Sequence, residues 1–521
     1  MPPLGLPPLP RTRVWSTHFP RRLLPLSPDI GVRINPSRVL LANQRIADEF
    51  VRALDLRKDE VVLEAYAGVG CITRSLVGGG RSKIPQEGEV VQSIPFPSWN
   101  TEELDTDVHS RQVPISSPDH HVPALVIANE PSFELLVRGL GLDPASQPAS
   151  RFSSEAVKAY LNLAVREAGQ DSPSADSKPP SNWGNVDPLR TSLPVVPSTH
   201  QSNLLLSPTS PYLWTTLPRL LAHEKVTPYI SKREWRDEAP HITLVAQLPD
   251  SVVGEQLTSQ WIGSAVGNDT YPRNWIWAWG RINLGLMVGK GLYDRLMARP
   301  GDLLYCKLTV MANALFHVTP LPPYHHVVNI DKNSRSYVAG HPDGKRAEKP
   351  RKTKSKASPQ PQSEPAPTPD PSSPEVQVTP TYPTDFYPIH NSSSIDLSAH
   401  LPRPVLLGVK LVPRVDSIVD PEQKDSWDFV LRKCFVKDKQ PLRDALKNLS
   451  IGAENLVAKI EDRETTVWKG VAVDTAKSPR DLTYTEWLRV VDVFDRWAFR
   501  PPNLILDSVL MENSSRQMDQ D

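Results

Sequence analysis

Residues 60–77 read EVVLEAYAGVGCITRSLV. The apolar run Val61 to Leu63 passes into a turn carrying Gly68 and Gly70 and then into a helical run, so the stretch predicts strand, tight loop and helix in succession. A Gly-x-Gly turn straight after a buried strand lets backbone approach a ligand closely, and the helix N-terminus behind it offers unpaired N–H groups to a carboxylate or phosphate. The same spacing also makes a strand-to-helix turn that holds nothing.

Working outward, RIADEFVRALDL (45–56) places Ile46, Phe50, Val51 and Leu54 on one helical face. ALVIANEPSFELLVRGL (124–140) repeats the strand-turn-helix scheme, with Glu130 closing the strand. A carboxylate at the end of the neighbouring strand suits a ribose, since it accepts from both hydroxyls, though an exposed strand-end acid needs no ligand. HITLVAQLP (241–249), NWIWAWGRINLGLMVG (274–289) and PVLLGVKLVP (404–413) read as further buried strands. Trp275, Trp277 and Trp279 would then share one strand face, as core packing or as a stacking platform for bases. Strands alternating with helices predict an α/β fold with a mostly parallel sheet covered on both faces.

Composition divides the chain. Its 521 residues include 55 prolines, and Lys plus Arg equals Asp plus Glu at 59 each, so nucleic-acid affinity would have to come from local patches. Inserts 78–118 and 168–211 mix Gly, Pro, Ser and charge without period and read as disordered. A third insert, 329–382, crowds Lys345, Arg346, Lys349, Arg351, Lys352, Lys354 and Lys356 around Glu348 alone: a solvated tether, a phosphate contact or an import signal. Residues 1–30 carry Arg11, Arg13, Arg21 and Arg22 with no acid before Asp29, which is transit-peptide composition, or else a Pro-rich tail. Cys71, Cys306 and Cys434 stand too far apart in sequence to suggest a disulfide framework or zinc site, and no metal is expected. No apolar run reaches the length of a membrane span. After residue 415 the pattern becomes helical: 426–450 and 481–499 read as amphipathic helices, the latter behind a Thr483/Glu486 capping box.

The segments SRVLLANQRIADEFVRAL, VVLEAYAGVGCITRSLV, VIANEPSFELL, LVAQLPDSVVGEQLTSQWI and GRINLGLMVGKGLYDRLMARPGDLLYCKLTVMA, in this order, resemble the rRNA adenine N6-dimethyltransferases. The resemblance is nearest to their fungal-type mitochondrial transcription factor B branch. It implies a Rossmann-like class I methyltransferase sheet over 31–328 with 383–415, a small helical nucleic-acid-binding domain over 416–505, and a tail at 506–521. By motif position, Leu40 and Leu41 would lie near S-adenosyl-L-methionine, Glu64, Gly68 and Gly70 would cradle its methionine end, and Glu130 would hold its ribose. The family's further acid, at the end of the third strand, has no counterpart around SPTSPYLW (207–214).

In active relatives the corner after the fourth strand is Asn-Leu-Pro-aromatic, where amide and backbone take the adenine amine and the ring stacks on the extruded base. Here it is Gln247, Leu248, Pro249 and Asp250. Gln moves the amide by one methylene, and a misplacement of about 1 Å can cost about 10²-fold; Asp cannot stack. Arg432, Lys433, Lys437, Lys439, Arg443 and Lys447, interleaved with Trp427, Phe429 and Phe435, make either a solvated helical face or a phosphate grip. The expectation is a mitochondrial matrix initiation factor that helps the organellar RNA polymerase recognise and melt promoter DNA. The alternative is an active methyltransferase acting on small-subunit rRNA.

Overall fold

Neighbouring residues on the central strands enter opposite apolar clusters. On β2 (Val61–Ala65), Val61 and Leu63 face one cluster and Val62 the other; on β3 (Leu125–Asn129), Leu125 and Ile127 oppose Val126 and Ala128; on β6 (Ile242–Gln247), Leu244 and Ala246 oppose Val245. Strands buried on both faces favour apolar residues on both, which is why Val61–Leu63, Leu125–Ala128 and Leu244–Ala246 read as unbroken runs. The computed structural model describes residues 39–78, 122–142, 193–198, 201–323 and 406–504, with residue 6 and short pieces at 159–160, 162–163, 325–327, 376–378, 385–387, 395–396 and 401–402. The tail 1–30 apart from residue 6, the insert 79–118, the basic stretch 345–356 and the tail 506–521 lie outside the described residues.

Further strands are β1 (Leu40–Leu41), β4 (Val196–Pro197), β5 (Leu204–Ser207), β7 (Asn283–Gly289), β8 (Phe316–Leu321), β9 (Phe386–Tyr387) and β10 (Leu406–Pro413), and two short antiparallel pairs join His325–Val327 to Val376–Val378, the latter inside the insert 329–382 that was expected to be disordered, and Ile395–Asp396 to Leu401–Pro402. Eight of them form one sheet in the order β4-β5-β3-β2-β6-β7-β10-β8. From β5 to β7 all pairs are parallel, and β10 lies antiparallel between β7 and β8. The chain runs from β2 outward through β3 to β5, then returns to the other side of β2 with β6. The direction of winding therefore reverses beside β2, and the crevice outside such a switch point is where open α/β sheets place ligands. This is the Rossmann-like α/β fold expected. β1 pairs with β9 outside the main sheet, Leu40 opposite Tyr387, so the segment before the first helix is held by residues that follow the basic insert.

One face is covered by α1 (Gln44–Leu54), α2 (Cys71–Gly78) and α3 (Phe133–Leu140). Asn43 caps α1 by accepting Arg45 N–H at 2.9 Å, and Ile46, Phe50, Val51 and Leu54 are buried as their spacing predicts. The other face carries α4 (Thr216–Leu221), α5 (Val252–Ser264), α6 (Lys290–Met297) and α7 (Lys307–Leu315). Beyond the sheet lie α8 (Lys424–Phe435), α9 (Leu442–Leu446), α10 (Val457–Glu461) and α11 (Tyr484–Asp495). Thr483 and Glu486 form the reciprocal capping box at the start of α11. Trp427, Phe429, Trp487 and Phe494 belong to the same apolar cluster as the sheet, so the helical part shares a core with it. Tyr305 Oη donates to the Leu482 carbonyl at 2.7 Å and Gly301 N–H to that of Arg480 at 2.8 Å, tying the two together.

Two further expectations need correction. Trp275–Trp279 is a 3₁₀ helix and not strand, with Trp275 in the left-handed region at φ 59°. What holds it is ring packing: Trp275 stacks on Trp214 at 4.8 Å and on Trp261 at 5.5 Å, and Trp277 meets Phe316 at 5.6 Å. Strand propensity of tryptophan is itself a packing preference, and here packing is satisfied without a strand. Of the three rings Trp275 and Trp277 are core and Trp279 is half-buried. The stretch 168–211 is likewise not insert to its end, since β4 and β5 lie within it and Leu204 and Leu206 are fully buried. Four residues between Ser- and Pro-rich flanks are enough for a strand but too few to show a period.

Candidate functional site

The switch point gathers the turn 65–70, the end of β3 and the end of β6. Gly68 and Gly70 have φ of 61° and 73°, the left-handed region that glycine enters without penalty. Space also demands them: a Cβ on Gly70 would come 2.4 Å from Leu140, and one on Gly68 would come 2.9 Å from Leu40. The chain's own side chains thus supply a sufficient reason for both glycines. Leu40 closes over this turn, and Leu41 beside it is equally buried, at 1% exposure each.

Glu64 accepts the Thr73 hydroxyl at 2.7 Å through Oε2, while its Oε1 is buried with no partner among the described residues. Burial is the main cause that pushes its carboxyl up to about 8; the nearby Glu130 charge adds to this, and the Thr73 hydroxyl opposes it. Glu130 is fully buried. Its Oε2 accepts Gly68 N–H at 2.8 Å and its Oε1 accepts Ser132 N–H at 2.9 Å, so both oxygens staple the glycine turn to the start of α3. The unpartnered Glu64 oxygen would suit a cationic amino-acid end, and Glu130, buried and bonded to backbone, keeps a second lone pair on each oxygen for a ribose hydroxyl.

At the end of β5, where an acid was sought, the structure has hydroxyls. Asn129 Nδ2 donates to the Thr209 carbonyl and Oγ1, each at 2.8 Å, and Ser207 Oγ lies 2.8 Å from Thr209 Oγ1. Asn129 Oδ1 is buried and unpartnered among the described residues. The triplet Ser207-Pro208-Thr209 behind a leucine run was the available signal, and the brevity of the strand concealed it.

The corner 247–250 is occupied by the chain itself. Gln247 Nε2 donates to the Val39 carbonyl at 2.5 Å, and its Oε1 accepts Leu41 N–H at 3.3 Å. The longer side chain is what lets the amide reach β1, and it leaves the amide committed to backbone. Leu248 is buried, with its N–H donating to the Met287 carbonyl at 2.9 Å. Pro249 is half-buried. Asp250 is exposed and lies over Gly289, where a Cβ would come 1.8 Å from Asp250 Oδ1. No ring stands at this position.

The basic run is divided by its pairing. Arg432 Nη2 reaches the Leu504 carbonyl at 3.4 Å and Asp428 at 3.7 Å, Lys433 lies 5.4 Å over the Phe429 ring, and Lys447 pairs with Asp444 at 2.7 Å. Arg443 and Lys439 are exposed and Lys437 is half-buried, on α9 and the link leading to it. The structure therefore brings together Leu40, Leu41, Glu64, Gly68, Gly70, Glu130 and Gln247, and places the six basic residues on the C-terminal helices and the turn between them. Among the described residues no group of three or more His, Cys, Asp or Glu could hold a metal ion, and no helix is long and apolar enough to cross a membrane.

The ribosomal RNA adenine dimethylase family model matches residues 178–478. Mitochondrial transcription factor 1 of Lachancea kluyveri is 24% identical over 292 residues, covering 56% of this chain and 66% of that protein. The mitochondrial dimethyladenosine transferase 1 of Vermamoeba vermiformis is 23% identical over 272 residues, covering 52% of this chain and 53% of that protein. The alignments thus span less than two thirds of either relative. Among solved structures, a dimethyladenosine transferase from Plasmodium falciparum aligns at 14% identity and a TM-score of 0.37, over 88% of this chain and 98% of that one.

Proposed function

The chain belongs to the ribosomal RNA adenine dimethylase family, and on that premise we propose that it is a mitochondrial transcription initiation factor: a methyltransferase scaffold that helps the organellar RNA polymerase recognise and melt promoters. The family's chemistry implies S-adenosyl-L-methionine. The observation that carries the proposal is the corner, where the Gln247 amide is bonded on both sides to β1 and Asp250 offers a carboxylate in place of a ring. Holding an adenine amine in line for transfer depends on a side-chain acceptor and a stacking surface, and here the amide is committed and no ring stands at the corner.

Capture of a melted strand makes smaller demands. It needs cations for the backbone and a rigid body to present them. Lys437, Lys439 and Arg443 are the members of the basic run best placed for that work, since Arg432, Lys433 and Lys447 are engaged locally. The likeness to a mitochondrial transcription factor supports the partner assignment, and the acid-free, Arg-bearing residues 1–28 support import to the matrix. Reconstituted transcription tests the reading: the organellar polymerase should give promoter-specific run-off only with this chain, and a pre-melted template should relax that requirement. Run-off unaffected by the chain would overturn it.

A second reading, an active rRNA adenine N6-dimethyltransferase, is favoured by the assembly of Glu64, Gly68 and Glu130 at the switch point. Methyl incorporation from labelled S-adenosylmethionine into a small-subunit rRNA hairpin, one or more per chain, would establish it.

A further inference from the structure

Two loops meet at the edge of the sheet opposite the switch point. Residues 223–241 lead into β6 and residues 265–282 into β7, so both lie at the amino ends of parallel strands, whereas the glycine turn and the 247–250 corner lie at carboxyl ends. The two loops are locked together. Arg233 N–H donates to the Trp279 carbonyl at 3.2 Å, Arg281 Nη2 donates to the Asp237 carbonyl at 2.6 Å, and the Arg273 guanidinium lies 3.8 Å over the Trp235 ring. Trp235 Nε1 donates in turn to the Arg414 and Val415 carbonyls at 3.1 Å each, which fixes the first loop just past the end of β10. A connected series of rings continues from there: Trp235 to Trp277 at 6.3 Å, Trp277 to Trp275 at 6.0 Å and Trp275 to Trp214 at 4.8 Å.

This support carries charge that the fold does not use. Lys232, Arg233 and Arg236 are exposed, and among the described residues none of the three side chains is held by an ion pair or a hydrogen bond. The acids of the loop are engaged with one exception: Glu238 pairs with Arg57 at 3.1 Å and Asp237 accepts Glu234 N–H at 3.2 Å, which leaves the Glu234 carboxylate. Exposed rings accompany the cations. Tyr229, three residues before Lys232, and Tyr271, two before Arg273, are each 50% exposed, and Trp214 is 41% exposed with one face on Trp275. No Leu, Ile or Val of the loop is exposed, since Val226 is buried and Ile230 half-buried, so the apolar centre of a protein interface is missing. Cations on a fixed backbone with rings beside them match a single strand, whose phosphates take the charge and whose bases take the rings. We propose that residues 229–236, with Tyr271, form a second surface for single-stranded nucleic acid, in which Lys232, Arg233 and Arg236 contact phosphates. It uses no residue of the switch point or of the basic run on α8 and α9, and it stands whether or not the chain acts in initiation.

The test is fluorescence anisotropy of a labelled oligo(dT) strand of about 20 nucleotides, titrated with the full chain from about 50 to 300 mM salt. Replacing Lys232, Arg233 and Arg236 together with alanine should weaken binding at least about tenfold near 100 mM salt. It should also lower the slope of log affinity against log salt by about 2, each phosphate contact on a single strand contributing about 0.7. Tyr229→Ala should weaken binding severalfold and leave the slope unchanged, because stacking releases no counterions. Glu234→Gln, in the same loop, should bind at least as tightly as the parent. All these side chains are exposed, so the variants should melt with the parent. Parent-like affinity and slope in the triple variant overturn the proposal. So does weaker binding at an unchanged slope, or an equal loss in Glu234→Gln, since either would take the cations off the phosphates.

Discussion

Glu64→Gln turns the buried carboxyl at the switch point into a measurement of the site's electrostatics. The carboxyl is pushed from 4.5 up to about 8, chiefly by burial. Between those two values the folded protein holds a proton that the unfolded chain has released, so stability falls as pH rises through that window. The slope is about 1.4 kcal/mol per pH unit, and the full displacement amounts to roughly 3–5 kcal/mol above pH 8. Glutamine keeps an oxygen for the Thr73 hydroxyl and cannot ionise. The two proteins should therefore melt at similar temperatures at pH 5, while at about pH 8.5 the variant should melt several degrees higher, at roughly 2–4 °C per kcal/mol for a domain of this size. Differential scanning fluorimetry across pH 5 to 9 reads the difference. A gap that stays constant with pH, or one that narrows as pH rises, refutes the claim that Glu64 is held neutral by burial.

Three further outcomes follow from other parts of the molecule. Gln247→Asn withdraws the amide from Val39 and Leu41 and should destabilise by about 1–3 kcal/mol, since buried backbone groups lose their partners; an unchanged melting temperature counts against the clamp. Tyr305→Phe removes the donor to the Leu482 carbonyl and should cost about 1 kcal/mol while raising hydrogen exchange at the start of α11; exchange rates equal to the parent's would show that the bond does not secure the helical part. Replacing Lys437, Lys439 and Arg443 together with alanine should lower the slope of log affinity against log salt for single-stranded DNA by about 2, whereas Arg432→Ala should change it little. The opposite ranking would move the grip elsewhere.

The strands that could be read from the sequence are β2, β3, β6 and β7, whose two-sided burial leaves apolar runs in the chain, and β10, whose Leu407, Val409 and Leu411 alternate with half-buried Lys410 and Val412. What escaped has a shared physical cause, dependence on contacts distant in sequence or on local geometry that residue type does not announce. β5 is four residues long and stands among serines and prolines. Trp275 takes left-handed backbone because Trp214 and Trp261 pack against it, and a tryptophan alternation alone reads as strand. Gln247 could be recognised as a misfit at its corner, but its partners lie more than 200 residues earlier, so the sequence shows a lengthened amide and not the clamp it forms. In the basic run, the charges were visible and their pairing was not.

These features bear on one another at the switch point. Glu130 staples Gly68 to the start of α3 with both its oxygens, and Glu64 stands beside it as a carboxyl that burial pushes up to about 8. A change at either carboxyl therefore reaches the turn that joins β2 to α2 and α3. The nucleic-acid surface proposed on α9 and the link before it draws on none of these residues. It requires only that the helices be held in place, and the shared core through Trp427, Trp487 and Phe494, with the Tyr305 bond to Leu482, does that. The switch point and the proposed binding surface thus rest on different residues, which is the physical ground on which the proposal of a nucleic-acid binder on a methyltransferase scaffold stands.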